Sequence, residues 1–174
     1  MEALNGLEAR ERIWSLIKDI KVAMLATWDA ETHEAHARPM MALQTETFDG
    51  VLWFFTRRTS RKAHEINVSH EALLSYADPK GMNFVSLSGR ATLIDDGLKV
   101  AELWNDNAAI WFPEGQDDPN LVLLQFEAVK AEFWAAPNAV SRGVSYLKSL
   151  VTGKVPDLGT TGEAAMQPHF TAAN

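Results

Sequence analysis

Residues 35–43, AHARPMMAL, read as a β-strand with a proline inside it. Proline has no N–H to give to a ladder, so a strand containing Pro39 must be a sheet edge, bulged, or open there. A barrel split at this strand leaves backbone groups exposed to a ligand.

The flanking segments supply the other strands. VAMLATWD (22–29) precedes it across a polar turn at 29–34, and Phe48-Asp49-Gly50 turns the chain into VLWFFT (51–56). A helix is expected over 60–68, then ALLSYAD (72–78), a turn at Pro79-Lys80-Gly81, and MNFVSLSGRATLI (82–94). The last long strand is LVLLQFEAVKAEFWA (121–135). Ile13, Leu16, Ile17 and Ile20 recur at helical spacing and predict an opening helix over 7–20. Residues 98–112 read as one or two short helices with a break near 105–107, 113–119 as loop, and 140–151 as a final helix. Six strands joined mostly by tight turns, with only short helices between them, predict a mainly β fold. The expected architecture is a six-stranded antiparallel split β-barrel with short flanking helices. Residues 1–155 are expected to form a single domain and 156–174 an extended or partly disordered tail.

Among the 174 residues, 47% are apolar and 22% charged, with a formal charge of −7. That balance is ordinary for a globular chain and argues against a general nucleic-acid or membrane-surface binder. There is no cysteine, which excludes disulfides, thiolate metal sites and a cysteine nucleophile. The first residues lack the basic-then-apolar pattern of a signal peptide, and no apolar run approaches the roughly 18 residues of a membrane span. A cytoplasmic location is expected.

Against this acidic background, four of the 16 basic residues fall within 57–62: Arg57, Arg58, Arg61 and Lys62. They head the helix expected at 60–68, where the dipole is positive and acidic side chains belong. Each misplaced cation costs about 0.3–1 kcal/mol at an exposed site. The residue three after Ser60 is Ala63, so no capping-box acid compensates. A phosphate would complete the arrangement by accepting from the Ser60 hydroxyl, backbone N–H groups, Arg61 and Lys62. The plainer alternative is an ordinary serine cap beside a solvated charged face.

The segments RPM (38–40), DGVLWFFT (49–56), SRKAHEI (60–66), SLSGRATLIDD (86–96), ELW (102–104), WFPEGQDDPNLVLL (111–124) and AEFW (131–134) follow in the order and spacing of one family. Over residues 10–155 the chain resembles the general stress protein branch of the pyridoxamine 5'-phosphate oxidase-like FMN-binding split barrels. The resemblance implies a homodimer with FMN at the subunit interface. Carried over by position, Arg38, Pro39 and Met40 would line the flavin ring and ribityl chain, and Phe55 and Thr56 would lie beside the ring. Ser60, Arg61 and Lys62 would hold the phosphate, and Trp111 would cover the site. Arg38 could reach either the ring or the phosphate. The implied function is that of a stress-related flavin oxidoreductase of unspecified substrate, with NADH or NADPH as electron donor. The alternatives are a non-catalytic flavin-binding or flavin-sequestering protein, or a split barrel that uses a deazaflavin or haem. No general acid or base is assigned. Pyridoxamine 5'-phosphate oxidation itself is not expected: the tail DLGTTGEAAMQPHF carries one histidine and no arginine, and Phe84 stands where those oxidases have a glutamine.

The remaining polar residues suggest little chemistry. His33-Glu34-Ala35-His36 looks like a zinc-motif fragment but lies at a hairpin, so both histidines are expected to be exposed turn residues and no metal site is expected. Asp95-Asp96 and Asp117-Asp118 fit caps and turns. Only 53–62 combines aromatic and basic residues, too little for a nucleic-acid stacking surface. Core packing accounts for Trp14, Trp53, Trp104 and Trp134, and Trp28 suits either core or interface.

Overall fold

In the computed structural model, which describes residues 2–43, 46–136 and 160–166, the strand that carries Pro39 is a sheet edge. The elements run β1 (Glu2–Asn5), α1 (Gly6–Ile17), β2 (Val22–Asp29), β3 (Glu34–Met41), β4 (Val51–Arg57), α2 (Arg61–Val68), β5 (Glu71–Asp78), β6 (Asn83–Ile94), α3 (Gly97–Leu103), α4 (Asp106–Ala109), a 3-10 turn (Gly115–Asp117), β7 (Leu121–Ala135) and β8 (Thr160–Ala165). The strand order is β1-β8-β7-β6-β5-β2-β3, with β4 added on β7. The long β7 makes this branching possible. One edge pairs with β6 over Leu123–Trp134, with one register shift, while the other pairs with β4 over Leu121–Glu127 and with β8 over Lys130–Ala135.

The sheet curls until β3 and β4 approach but does not close. Among the described residues, the segment just after β3 meets β4 through one bridge, Leu43 to Trp53, with the Leu43 N–H donating to the Trp53 carbonyl at 2.8 Å. The β2–β3 register runs unbroken from Val22↔Met41 to Asp29↔Glu34, so Pro39 is accommodated by the free edge rather than by a bulge. The fold is the expected split barrel, mainly antiparallel β with few helices.

Two strands, β1 and β8, come in addition to the six expected. β8 lies in the segment expected to be tail, and its TTGEAA sequence has neither the alternation nor the large apolar residues of a strand. Pairing with β7 and, in parallel, with β1 holds it in place. The helix expected at 140–151 lies outside the described residues.

α1 presents Ala9, Ile13 and Ile17 to the core at intervals of one turn. It ends at Ile17, short of the expected Ile20, because the Ile20 N–H turns back to the Ile17 carbonyl as the chain swings into β2. Inside the barrel this face packs against Leu25, Phe54, Leu87, Phe126 and Phe133. Phe54 and Phe126 are fully buried, each stabilising by about 2–3 kcal/mol through area removed from water. A second cluster covers the outer side of β4 and β7, where Leu43, Val100, Leu103, Phe112, Leu121 and Leu123 pack with Trp53, Phe55 and Trp104. With both faces covered, residues 121–124 are apolar without alternation.

The outer face of β2, β3 and β5 is different. Val22, Met24, Trp28, Met41 and Leu73 are all exposed there, with Val22 paired to Met41 and Met24 to Pro39. Trp134, expected in the core, is also exposed: it alternates with the buried Phe133 and so faces outward.

Candidate functional site

Where β2, β3 and α2 meet, the side chains of His36, Arg38 and Met40 alternate inward along β3. The register sets Thr27 of β2 opposite His36 and Leu25 opposite Arg38. α2 crosses over this end of β2 and brings down Glu65, whose side chain is 2% exposed.

The buried Glu65 carboxylate accepts three hydrogen bonds and forms one further ion pair, with Arg61. One oxygen takes the Thr27 hydroxyl and, at 2.9 Å, Arg38 Nη2; the other takes His36 Nδ1 at 2.9 Å and Arg61 Nε at 3.1 Å. An ionised carboxylate only accepts, so His36 carries a proton on Nδ1. Arg38 Nη1 donates in turn to Thr27 Oγ1 and to the Leu25 carbonyl. Burial alone would raise the Glu65 pKa, but the hydrogen bonds from Thr27, Arg38 and His36 and the Arg38 charge outweigh it and hold the carboxyl below its usual range.

The last residue of β2 adds a second carboxylate. Asp29 Oδ2 accepts from Arg61 Nη2 at 3.0 Å, and its other oxygen accepts the N–H groups of Glu31 at 2.9 Å and Thr32 at 3.1 Å. The Arg61 hydrogen bond, followed by these backbone N–H groups, lowers the Asp29 pKa to about 2. Reciprocally, Asp29 raises the pKa of Arg61.

These pairings account for most of the cationic run. Arg57 donates to the Trp111 carbonyl at 2.9 Å and lies over the Phe112 ring, while Arg58 pairs with Asp95 at 2.9 Å. Arg61 is committed to Asp29 and Glu65. Lys62 makes no hydrogen bond or ion pair among the described residues. It is half-buried, and burial, then the neighbouring Arg38 charge, lowers its pKa, with Glu65 opposing. A cation held beside another cation with no bonded anion is a place an anion can fill.

Several residues singled out from the sequence converge on this corner. Ser60 is the N-cap of α2, its hydroxyl oxygen accepting weakly from the Ala63 N–H at 3.4 Å and its own proton left to donate. Ser60, Arg61, Lys62 and Arg38 gather around Glu65 and the first turn of α2. Thr56 ends the inward face of β4, and its buried Oγ1 has no hydrogen-bond partner among the described residues. Met40 points into the main core and Pro39 outward. Phe55 faces the opposite side of β4 from Thr56 and packs against Trp104, with ring centroids 5.6 Å apart. The Trp111 indole is exposed, with only its backbone tied to Arg57.

Glu65, Thr27, Asp29 and His36 were not singled out from the sequence as site residues. His36, expected to be an exposed turn residue, is a half-buried strand residue because the turn closes before Glu34. A glutamate between the apolar Ala63 and Ile66, one turn after Arg61, was the available signal for Glu65. Asp29, His36 and Glu65 present ligand atoms within 4.8 Å of one another. Both carboxylates already hold guanidinium groups, whose charge disfavours a metal ion there. Asp96 and Asp118 do the capping and turn work expected of them.

A family model described as "Pyridoxamine 5'-phosphate oxidase like" matches residues 8–157. General stress protein 26 of Bacillus subtilis is 29% identical over 128 residues, covering 71% of this chain and 86% of that protein. The crystal structure of a general stress FMN/FAD binding protein from Xanthomonas citri is 28% identical, with a TM-score of 0.66 over 77% of this chain and 93% of the other. General stress protein 26 from a Jannaschia species shares the fold at a TM-score of 0.74 and 22% identity, covering 89% and 96% of the two chains.

Proposed function

This chain belongs to the pyridoxamine 5'-phosphate oxidase like family, and on that premise we propose that it binds FMN and works as a flavin-dependent oxidoreductase of the general stress protein type. The observation that carries the reading is Lys62, a half-buried ammonium beside Arg38 with no bonded anion, in the first turn of a serine-capped helix. The FMN phosphate would sit there, facing Ser60, Arg61 and Lys62. The free edges of β3 and β4, left open by the split, would offer the ring the backbone groups of Arg38, Pro39, Met40, Phe55 and Thr56. The orphaned Thr56 hydroxyl supports a polar ligand at this end of β4. The similarity to the Xanthomonas FMN/FAD binding protein supports the same cofactor class.

When bound, the flavin supplies reversible two-electron chemistry, and the protein's part is to hold and orient it. The exposed apolar face of β2, β3 and β5 is the surface a second copy would cover, making a homodimer with Trp111 of one copy near the site of the other. Met24→Glu is expected to shift the sedimentation coefficient to that of a monomer.

The test is titration of the purified protein with FMN and riboflavin, followed by visible absorption. FMN is expected to bind with a sub-millimolar dissociation constant. Lys62→Glu is expected to weaken FMN by about 100-fold and riboflavin only slightly, since only FMN has the phosphate. Equal losses for both ligands would remove the phosphate assignment. Bleaching of bound flavin by NADH or NADPH distinguishes an oxidoreductase from a protein that only holds flavin.

A further inference from the structure

We propose that Glu65 is a specificity-determining residue: it holds Arg38 and Arg61 as its own counter-ions and leaves Lys62 as the principal cation for a ligand's phosphate monoester. The inference rests on the phosphate corner assigned above, and it departs from a corner in which every basic residue serves the ligand.

The geometry points this way. Arg38 spends Nη2 on Glu65 and Nη1 on Thr27 and the Leu25 carbonyl, so its guanidinium is fixed on the protein side. Arg61 spends Nε on Glu65 and Nη2 on Asp29, and its Nη1 makes no hydrogen bond among the described residues. Turning either guanidinium to a ligand would leave Glu65, 2% exposed, as an undercompensated buried charge. Arg38 and Arg61 are bonded to Glu65 and Asp29, and the exposed Glu34 adds only a more distant attraction on Arg61, so Lys62 is the cation of the three without a bonded carboxylate among the described residues. A phosphate arriving there meets Lys62, the Ser60 hydroxyl and the α2 N–H groups, against the residual field of Glu65. That carboxylate sets how strongly a phosphorylated ligand is preferred over its unphosphorylated form.

The experiment compares full-length wild type with Lys62→Met, Arg61→Met and Glu65→Gln. Dissociation constants for FMN and riboflavin are read by flavin fluorescence, and inorganic phosphate is followed by backbone amide shifts at residues 61–63. Lys62→Met is expected to weaken FMN about tenfold or more, and Arg61→Met at least about threefold less than that. Glu65→Gln keeps the shape and removes the charge, and should raise the preference for FMN over riboflavin by about threefold or more. If Glu65→Gln does not fold, the Arg61 and Lys62 variants decide alone. Losses at Arg61 equal to or larger than those at Lys62 would overturn the proposal, as would an unchanged or reduced FMN preference in Glu65→Gln. If the wild type binds neither flavin but phosphate shifts residues 61–63 with the same Lys62-over-Arg61 order, the proposal stands and the flavin reading fails. If phosphate at tens of millimolar leaves those amides unmoved as well, both fail.

Discussion

The Glu65 carboxylate of α2 lies 2.9 Å from the Arg38 guanidinium of β3, joining a helix to the sheet's edge strand across 27 residues of sequence. The pair is buried at the Glu65 end and partly open at Arg38. Removing one partner strands the other's charge. Glu65→Ala is therefore expected to destabilise the fold by about 3 kcal/mol, the lower end for a broken buried pair because Arg38 can reach water. Urea unfolding measures it, and a loss below about 1 kcal/mol would mean the network adds little.

Asp29 links the same corner to pH. Its folded pKa of about 2, against an ordinary 3.8, means that the unfolded chain takes up the proton first as pH falls. Its stabilising contribution is fully present above about pH 4 and disappears as pH falls towards about 2. Asp29→Asn should lack that pH-dependent part, so the stability gap between wild type and variant narrows across this window. A gap that stays constant down to pH 2 would show that the Arg61 pairing does not persist in solution.

Lys62 shifts in the opposite sense to an exposed, paired lysine. Burial and Arg38 lower its pKa below the usual 10.5, so its charged form is disfavoured in the folded chain. An anion bound against it favours the charged form and raises the pKa. Binding of inorganic phosphate or FMN is accordingly expected to move the Lys62 side-chain NMR titration upward, and affinity to fall as pH rises through that titration. An unmoved titration at saturating ligand would contradict the assignment.

Gly89 tests the frame that carries the site. It sits at the register shift between β6 and β7, and a Cβ there would lie 2.1 Å from the Glu127 carbonyl oxygen and 2.8 Å from the Phe126 ring. The nearer atom is backbone and cannot step aside. Gly89→Ala should cost about 3 kcal/mol, read as a lower unfolding midpoint. A neutral result would mean the two strands do not approach this closely.

What the sequence by itself determined is whatever a local pattern can encode. Alternation and turn residues located six strands, Ser60 announced the cap of α2, and Pro39 required an edge, because each follows from the geometry of a few adjacent residues. The order of strands was in no local pattern and came only with the folded sheet.

Tertiary structure alone decided the rest. β8 has no strand signature and exists because the second half of β7 offers it an unpaired edge. The run of cations at 57–62 looked like one ligand site, yet the folded chain hands Arg61 to Asp29 and Glu65, Arg57 to the Trp111 carbonyl and Arg58 to Asp95. Thr27 and Glu65 are 38 positions apart, and no repeat in the sequence connects them. Which charges are neutralised at home depends on a helix docking over a sheet, and that distance exists only once the chain has folded.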